Sequence, residues 1–184
     1  MKRTIIFALC LLTFVACNTN NDPVVDWKKN YEAYVHDNID TASYQRQIEC
    51  YIDNDDVPEL CLFGESYADG AIILTQYKGK VVKLDCYWSP EYIERSGLIN
   101  NSYGHMGTSG TEIIKLDHGV FEEILHTEAV WHEGDSDQAP YFVYTINEQV
   151  VDTLYGEDVT EESCSRINDT IEKVYYSKGT SKSL

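Results

Sequence analysis

The chain is 184 residues long, enough for one domain with a substantial core, and 31 Asp and Glu against 14 Lys and Arg give it a formal net charge of −17. A surface of that sign repels phosphate backbones and anionic headgroups, which excludes nucleic-acid binding. Its 14 tyrosines, with acids scattered rather than run together, exclude an acidic disordered chain and predict a folded domain.

The chain starts with Lys2 and Arg3, then an apolar run over residues 5–15, then Ala16 and Cys17. A positive n-region, a short apolar segment and a small residue make an export signal, and the run is well short of the ~20 apolar residues a spanning helix needs. Phe14-Val15-Ala16-Cys17 resembles the bacterial lipobox, with Phe14 where leucine is usual. The resemblance implies cleavage before Cys17, which carries diacylglycerol on its sulfur and an acyl chain such as palmitate on its freed amine. Several acyl chains anchor stably where one binds reversibly. The expected address is therefore the cell envelope, at the outer membrane or cell surface rather than the inner membrane. Residues 17–25 follow as the lipidated cysteine and a polar tether, residues 26–176 as one domain, and residues 177–184 as a disordered tail.

Trp27, Tyr31, Tyr34 and Val35 recur at helical spacing after Asp26, a cap residue, and predict an amphipathic helix over 26–39. From Tyr44 the period changes to that of strands. Residues 71–86 form two β-rich runs around Lys78-Gly79, a hairpin signal; a second hairpin joins 111–116 to 120–130 through a three-residue turn at Asp117-His118-Gly119. Residues 141–146 read as another strand. The Gly-, Ser-, Asn- and Asp-rich stretches 89–110 and 132–140 read as long loops, the places where a functional surface is most readily built. Asp158 with Glu161 makes a capping-box-like start to a final helix carrying Cys164, Ile167, Ile171 and Val174. The expectation is an α+β domain: mainly an antiparallel sheet of β-hairpins, with a helix near each end of the chain.

Cys50, Cys61, Cys86 and Cys164 lie beyond the signal, in a chain whose address permits disulfides. If the Asp-rich segment between Cys50 and Cys61 is a hairpin turn, those two face one another and are the preferred pair. The alternative is four small buried hydrophobes.

Residues 51–62, YIDNDDVPELCL, resemble the D-I-N-G-D-G-I-P-E-L segment of small lipoproteins from Bacteroidetes-like bacteria, itself related to the calcium loops of FG-GAP and VCBS-type integrin propeller repeats. The resemblance implies a hairpin fold like part of a propeller and no particular chemistry. It maps calcium ligands onto Tyr51, Asp53, Asp55, the Val57 carbonyl and Glu59. Tyr51 is a poor donor when neutral, and Asp56 replaces the glycine of the sharp turn, so weak calcium or none is expected, and no other cofactor.

His132-Glu133 begins like a zinc-protease helix, but the second histidine would fall on Ser136. His126, Glu128 and His132 sit at alternate positions, on one face of an extended strand, as metal ligands do and as solvated strand ends also do. Tyr87, Trp88, Tyr92, Tyr103, Trp131 and Tyr141 gather around the two long loops as candidates for a binding surface, against the alternative of core filling. No nucleophile elbow or phosphate loop is present. The expected function is a membrane-tethered, non-enzymatic binding or accessory module for a protein or glycan. A carboxylate-based hydrolase such as a glycosidase, needing only two acids across a cleft, is the alternative.

Overall fold

A computed structural model describes residues 26–88, 90–130 and 141–184, the side chains of Tyr67, Glu161 and Cys164 aside. Cys17, Trp131 and His132 lie outside the described residues. Helix α1 (Trp27–Asn38) begins where Asp26 accepts a hydrogen bond from the Lys29 amide. Strands β1 (Tyr44–Cys50), β2 (Glu59–Gly64), β3 (Ala71–Tyr77) and β4 (Lys80–Cys86) follow as an antiparallel meander in chain order. That is the strand order of a propeller blade. A second antiparallel sheet contains β5 (Glu91–Ile93), β6 (Leu98–His105), β7 (Thr108–Asp117), β8 (Val120–Val130), β9 (Tyr141–Ile146) and β10 (Gln149–Tyr155), with β11 (Ser181–Ser183) at the edge beside β5. Helix α2 (Glu161–Val174) precedes β11. The fold is α+β, and the two sheets do not close into a propeller.

Burial orders these pieces into four layers. On β3, Ile72 and Leu74 face α1, where Tyr31 is buried and Trp27, Tyr34 and Val35 pack around it. The alternate residues Ala71 and Ile73 face the second sheet, meeting Tyr92, Ile99, Ile114 and Leu116. The far face of that sheet, with Ile93, Leu98, Ile113 and Leu125, is covered by Ile171, Val174 and Tyr175 at the end of α2. A strand covered on both faces needs no polar alternation, which is why β3 is buried from Ala71 to Gln76.

Four hairpins turn on two residues each with positive φ: Lys78-Gly79, Met106-Gly107, His118-Gly119 and Asn147-Glu148. These are the conditions of a type I′ turn, whose twist matches that of the strands. The β7–β8 turn is accordingly His118-Gly119, with Asp117 already paired to Val120, rather than a three-residue turn.

Three further expectations are corrected. Residues 89–110 are not one loop: they contain β5, all of β6 and the start of β7. Asn100 and Asn101 belong to a poor strand sequence, yet both are buried and bonded, Asn100 to the Tyr176 hydroxyl and Asn101 to the Tyr87 amide and Glu112, so tertiary partners override propensity. The cap of α2 is Thr160 with Ser163 in a reciprocal capping box, not Asp158 with Glu161. The tail is ordered: β11 pairs with β5, and Leu184 is buried between the sheets. Among the described residues no helix is long and apolar enough to cross a membrane.

Candidate functional site

Among the described residues, two places bring three metal-ligand-type side chains together. The first is the Asp-rich loop between β1 and β2. Its residues 51–58 are held from outside: the buried Tyr31 hydroxyl donates to the Pro58 carbonyl at 3.0 Å, the Gly97 amide to the Ile52 carbonyl at 2.8 Å, and Arg95 to the Asp55 carbonyl at 3.2 Å while lying over the Tyr51 ring. Asp53, Asp55 and Glu59 each present a carboxylate oxygen within 4.8 Å of the others. Those carboxylates are also used within the loop. Asp53 accepts from the Asp55 amide at 2.9 Å, Asp55 from the Val57 amide at 2.7 Å, and Glu59 from the Ile52 amide at 2.7 Å and the Thr75 hydroxyl at 3.2 Å. Burial, aided by Asp53 and Asp55, pushes the Glu59 carboxyl up to about 7, and burial also raises Asp55. Beside the loop, Asp53 and Asp55 share a cleft of about 350 Å³ with Arg95 and Lys115. Of the ligands that the family likeness maps onto this loop, three carboxylates converge; the ring of Tyr51 is taken by Arg95.

The flanking cysteines are neighbours but not opposite partners. Cys50 pairs with Glu59 and Cys61 with Ile48, so the two thiols sit diagonally, free, with their sulfurs 3.6 Å apart in the core. The turn closes at Glu59, two residues before the position that would put the cysteines face to face.

The second place is on the second sheet, on the side that faces the first sheet but beyond its end, beside Tyr87. Pairing brings Asn101 of β6, Glu112 of β7 and His126 of β8 into one row, and Tyr103, Gly110 and Glu128 into the next. Ile113 pairs with Leu125 and Ile114 with Glu123, so Ile124 is the extra residue of a β-bulge, its carbonyl accepting from the Asn147 amide. The bulge matters because strict alternation would put Glu123 on the opposite face from His126; instead they share one. Nδ1 of His126 stands 3.4 Å from Glu123 and 4.0 Å from Glu112, and the Asn101 amide donates to the other Glu112 oxygen at 2.7 Å. Burial raises the Glu112 carboxyl, with Glu123 adding to the shift.

The neighbouring row is aromatic. The hydroxyls of Tyr103 and Tyr141 donate to the two oxygens of Glu128 at 3.3 and 3.1 Å, and Tyr103 lies 3.5 Å from Nε2 of His126. Tyr103 reaches this position because Gly110 opposes it: a Cβ there would lie 2.4 Å from the ring. The Tyr87 ring stacks against Tyr103 at 4.8 Å and is half exposed. Burial and the Glu128 carboxylate raise the Tyr103 phenol; the hydrogen bond to Glu128 raises Tyr141.

Of the aromatic candidates, Tyr103 and Tyr141 converge on Glu128, and Trp88 is exposed with its ring edge against Gly104. Tyr92 does not join a surface: it is 8% exposed, packed between the sheets with Ile99 and Leu184. Comparison with protein-family models, curated proteins and solved structures finds no match for this chain. Glu112 and Glu123 were not singled out from the sequence. Glu112 is named by strand register and Glu123 by the bulge, and neither leaves a local signal.

Proposed function

We propose that this chain is a lipid-anchored, non-enzymatic binding or accessory module of the cell envelope, held to the membrane through Cys17, whose ligand-binding face is the Tyr103–Glu128–Tyr141 surface. The observation that carries this reading is the meeting of two tyrosine hydroxyls, from β6 and β9, on one carboxylate, with the half-exposed Tyr87 stacked alongside. Aromatic rings with polar tips supply rigid contact area at little entropic cost and anchor both protein and glycan recognition. A negative domain on an acyl anchor also keeps its face away from anionic headgroups and turned to soluble partners.

Cys17→Ser is expected to abolish acyl labelling and release the chain to the soluble fraction. For the face, the detergent-solubilised full chain is immobilised and challenged with native envelope proteins and with envelope polysaccharides. A Tyr103→Ala, Glu128→Gln variant should lose at least tenfold in retention, and equal retention would remove the face from consideration. The competing reading, a carboxylate hydrolase, is favoured by one observation: burial, with the Glu123 carboxylate adding to it, raises the Glu112 carboxyl, as a general acid requires. Polysaccharide released in shortened form rather than retained would decide for it.

A further inference from the structure

We propose that Glu112, Glu123 and His126 form a binding site for a borderline divalent metal ion of the Zn²⁺ type. The site is independent of what docks on the neighbouring tyrosines. Its three donor atoms lie within 4.8 Å of one another, and Nδ1 of His126 is aimed between the two carboxylates at 3.4 and 4.0 Å. Around a tetrahedral zinc with bonds of 2.0–2.2 Å, neighbouring donors stand about 3.3–3.6 Å apart. The His126–Glu123 separation already falls in that range, and the His126–Glu112 separation of 4.0 Å and the carboxylate–carboxylate separation, within 4.8 Å, must close on the ion.

The chemistry of the donors selects the ion. Calcium and magnesium take oxygen, whereas an imidazole nitrogen with carboxylates suits zinc and its first-row neighbours. Zinc binds the lone pair of Nδ1 on the neutral ring, with the ring hydrogen on Nε2, toward the Tyr103 hydroxyl 3.5 Å away.

The surroundings hold the ligands in place. Asn101 fixes one Glu112 oxygen and leaves the other turned to His126, an outer partner of the kind that orients metal carboxylates. The bulge at Ile124 is anchored by Asn147, so Glu123 is held on the face by backbone geometry. No lysine pairs with these carboxylates: every lysine ion pair among the described residues lies elsewhere, at Glu49, Asp26, Asp85 and Glu94. With side-chain exposures of 17% for Glu112, 24% for His126 and 36% for Glu123, the corner is dry enough to strengthen ligation and open enough to admit the ion. Three protein ligands leave a fourth position to water or to a donor group of a partner.

The test uses untagged full chain in detergent, stripped with chelator and titrated with Zn²⁺ against a chromophoric competitor, and with Co²⁺ for its visible spectrum. One ion per chain at micromolar affinity is expected, with the intense cobalt bands of a four-coordinate site. His126→Ala and Glu123→Gln should each weaken binding at least tenfold, while Asp53→Asn with Asp55→Asn should not. Glu123 is exposed enough that its amide variant folds, and an unchanged melting temperature verifies that. No binding above the competitor's range, or binding that survives both His126→Ala and Glu123→Gln, would overturn the site. Loss confined to the Asp53, Asp55 double variant would do the same by assigning the ion to the other cluster.

Discussion

The Asp-rich loop and the Glu112 corner each gather three ligand-type side chains within 4.8 Å, and they do it by opposite means. In the loop the carboxylates come from one stretch of chain, and their oxygens are bound to the amides of Ile52, Asp55 and Val57. At the corner the donors come from two strands and meet through register and a bulge, with no backbone amide bonded to Glu112 or Glu123 among the described residues. An acid whose oxygens hold its own backbone is part of the fold. An acid held by neighbouring side chains and partly open to water keeps its lone pairs for a ligand. On the reading proposed above, the first cluster serves stability and the second recognition.

The largest test of that division sets Glu59 against Glu128, the acid of the row beside the corner, which is likewise held by side chains alone among the described residues. Glu59→Ala leaves the buried Ile52 amide and the Thr75 hydroxyl without an acceptor. Each unsatisfied buried group costs about 1–3 kcal/mol, so a loss of about 2–6 kcal/mol is expected in urea unfolding. Glu128→Ala leaves two phenols that can turn to water, and should stay within about 0.5 kcal/mol. Equal costs would erase the distinction. The pH profile adds a sign. The Glu59 carboxyl is pushed up to about 7 from an ordinary 4.5, so its contribution is full below about pH 4.5 and is lost as pH rises through 7. Stability should therefore fall across that window, and Glu59→Gln, which keeps an acceptor without the charge, should flatten the fall.

How much of this was readable beforehand follows from where the information resides. Helix α1 and the β3–β4 hairpin were legible because Trp27, Tyr31, Tyr34 and Lys78-Gly79 carry local signals. β6 was not, because the residues that make Asn100 and Asn101 acceptable in a strand are Tyr176, Tyr87 and Glu112, far along the chain. β11 was hidden for the same reason: Ser181–Ser183 has no strand character until β5 offers an edge. His126, Glu128, Tyr103 and Tyr141 could be nominated by residue type and alternation. Glu112 needed the pairing of β7 with β8, and Glu123 needed the bulge, which moves a side chain between faces without changing the hydrophobic pattern.

A smaller effect separates the two clusters by ion. The loop supplies three carboxylates whose oxygens are already shared with amides, and calcium wants six to eight oxygens, so calorimetry of the full chain should find millimolar calcium binding or none. At a free concentration equal to its dissociation constant, calcium would add only about 0.4 kcal/mol of stability. Micromolar binding abolished by Asp53→Asn with Asp55→Asn would show the loop to be a true site and return its carboxylates from fold to function.

The smallest expected effect is that of reducing agent. Had Cys50 and Cys61 faced each other across β1 and β2, a bridge closing that short loop would contribute about 3 kcal/mol, and reduction would lower the melting temperature by several degrees. The register places them diagonally, where Cα atoms stand about 7–8 Å apart, at or beyond the reach of a disulfide without backbone movement. Movement is opposed on both sides: Glu59, the residue opposite Cys50, is tied to Ile52 and Thr75, and Cys61 is fully buried against Ile73. The thiols are expected to stay reduced, each filling core volume, with no shift in melting temperature on adding reductant. Alkylation of the unreduced, unfolded chain followed by mass spectrometry should find both Cys50 and Cys61 modified. A bridged peptide containing the two would mean that the β1–β2 hairpin shifts toward the facing register, and that the Glu59 contacts are weaker than the first prediction requires.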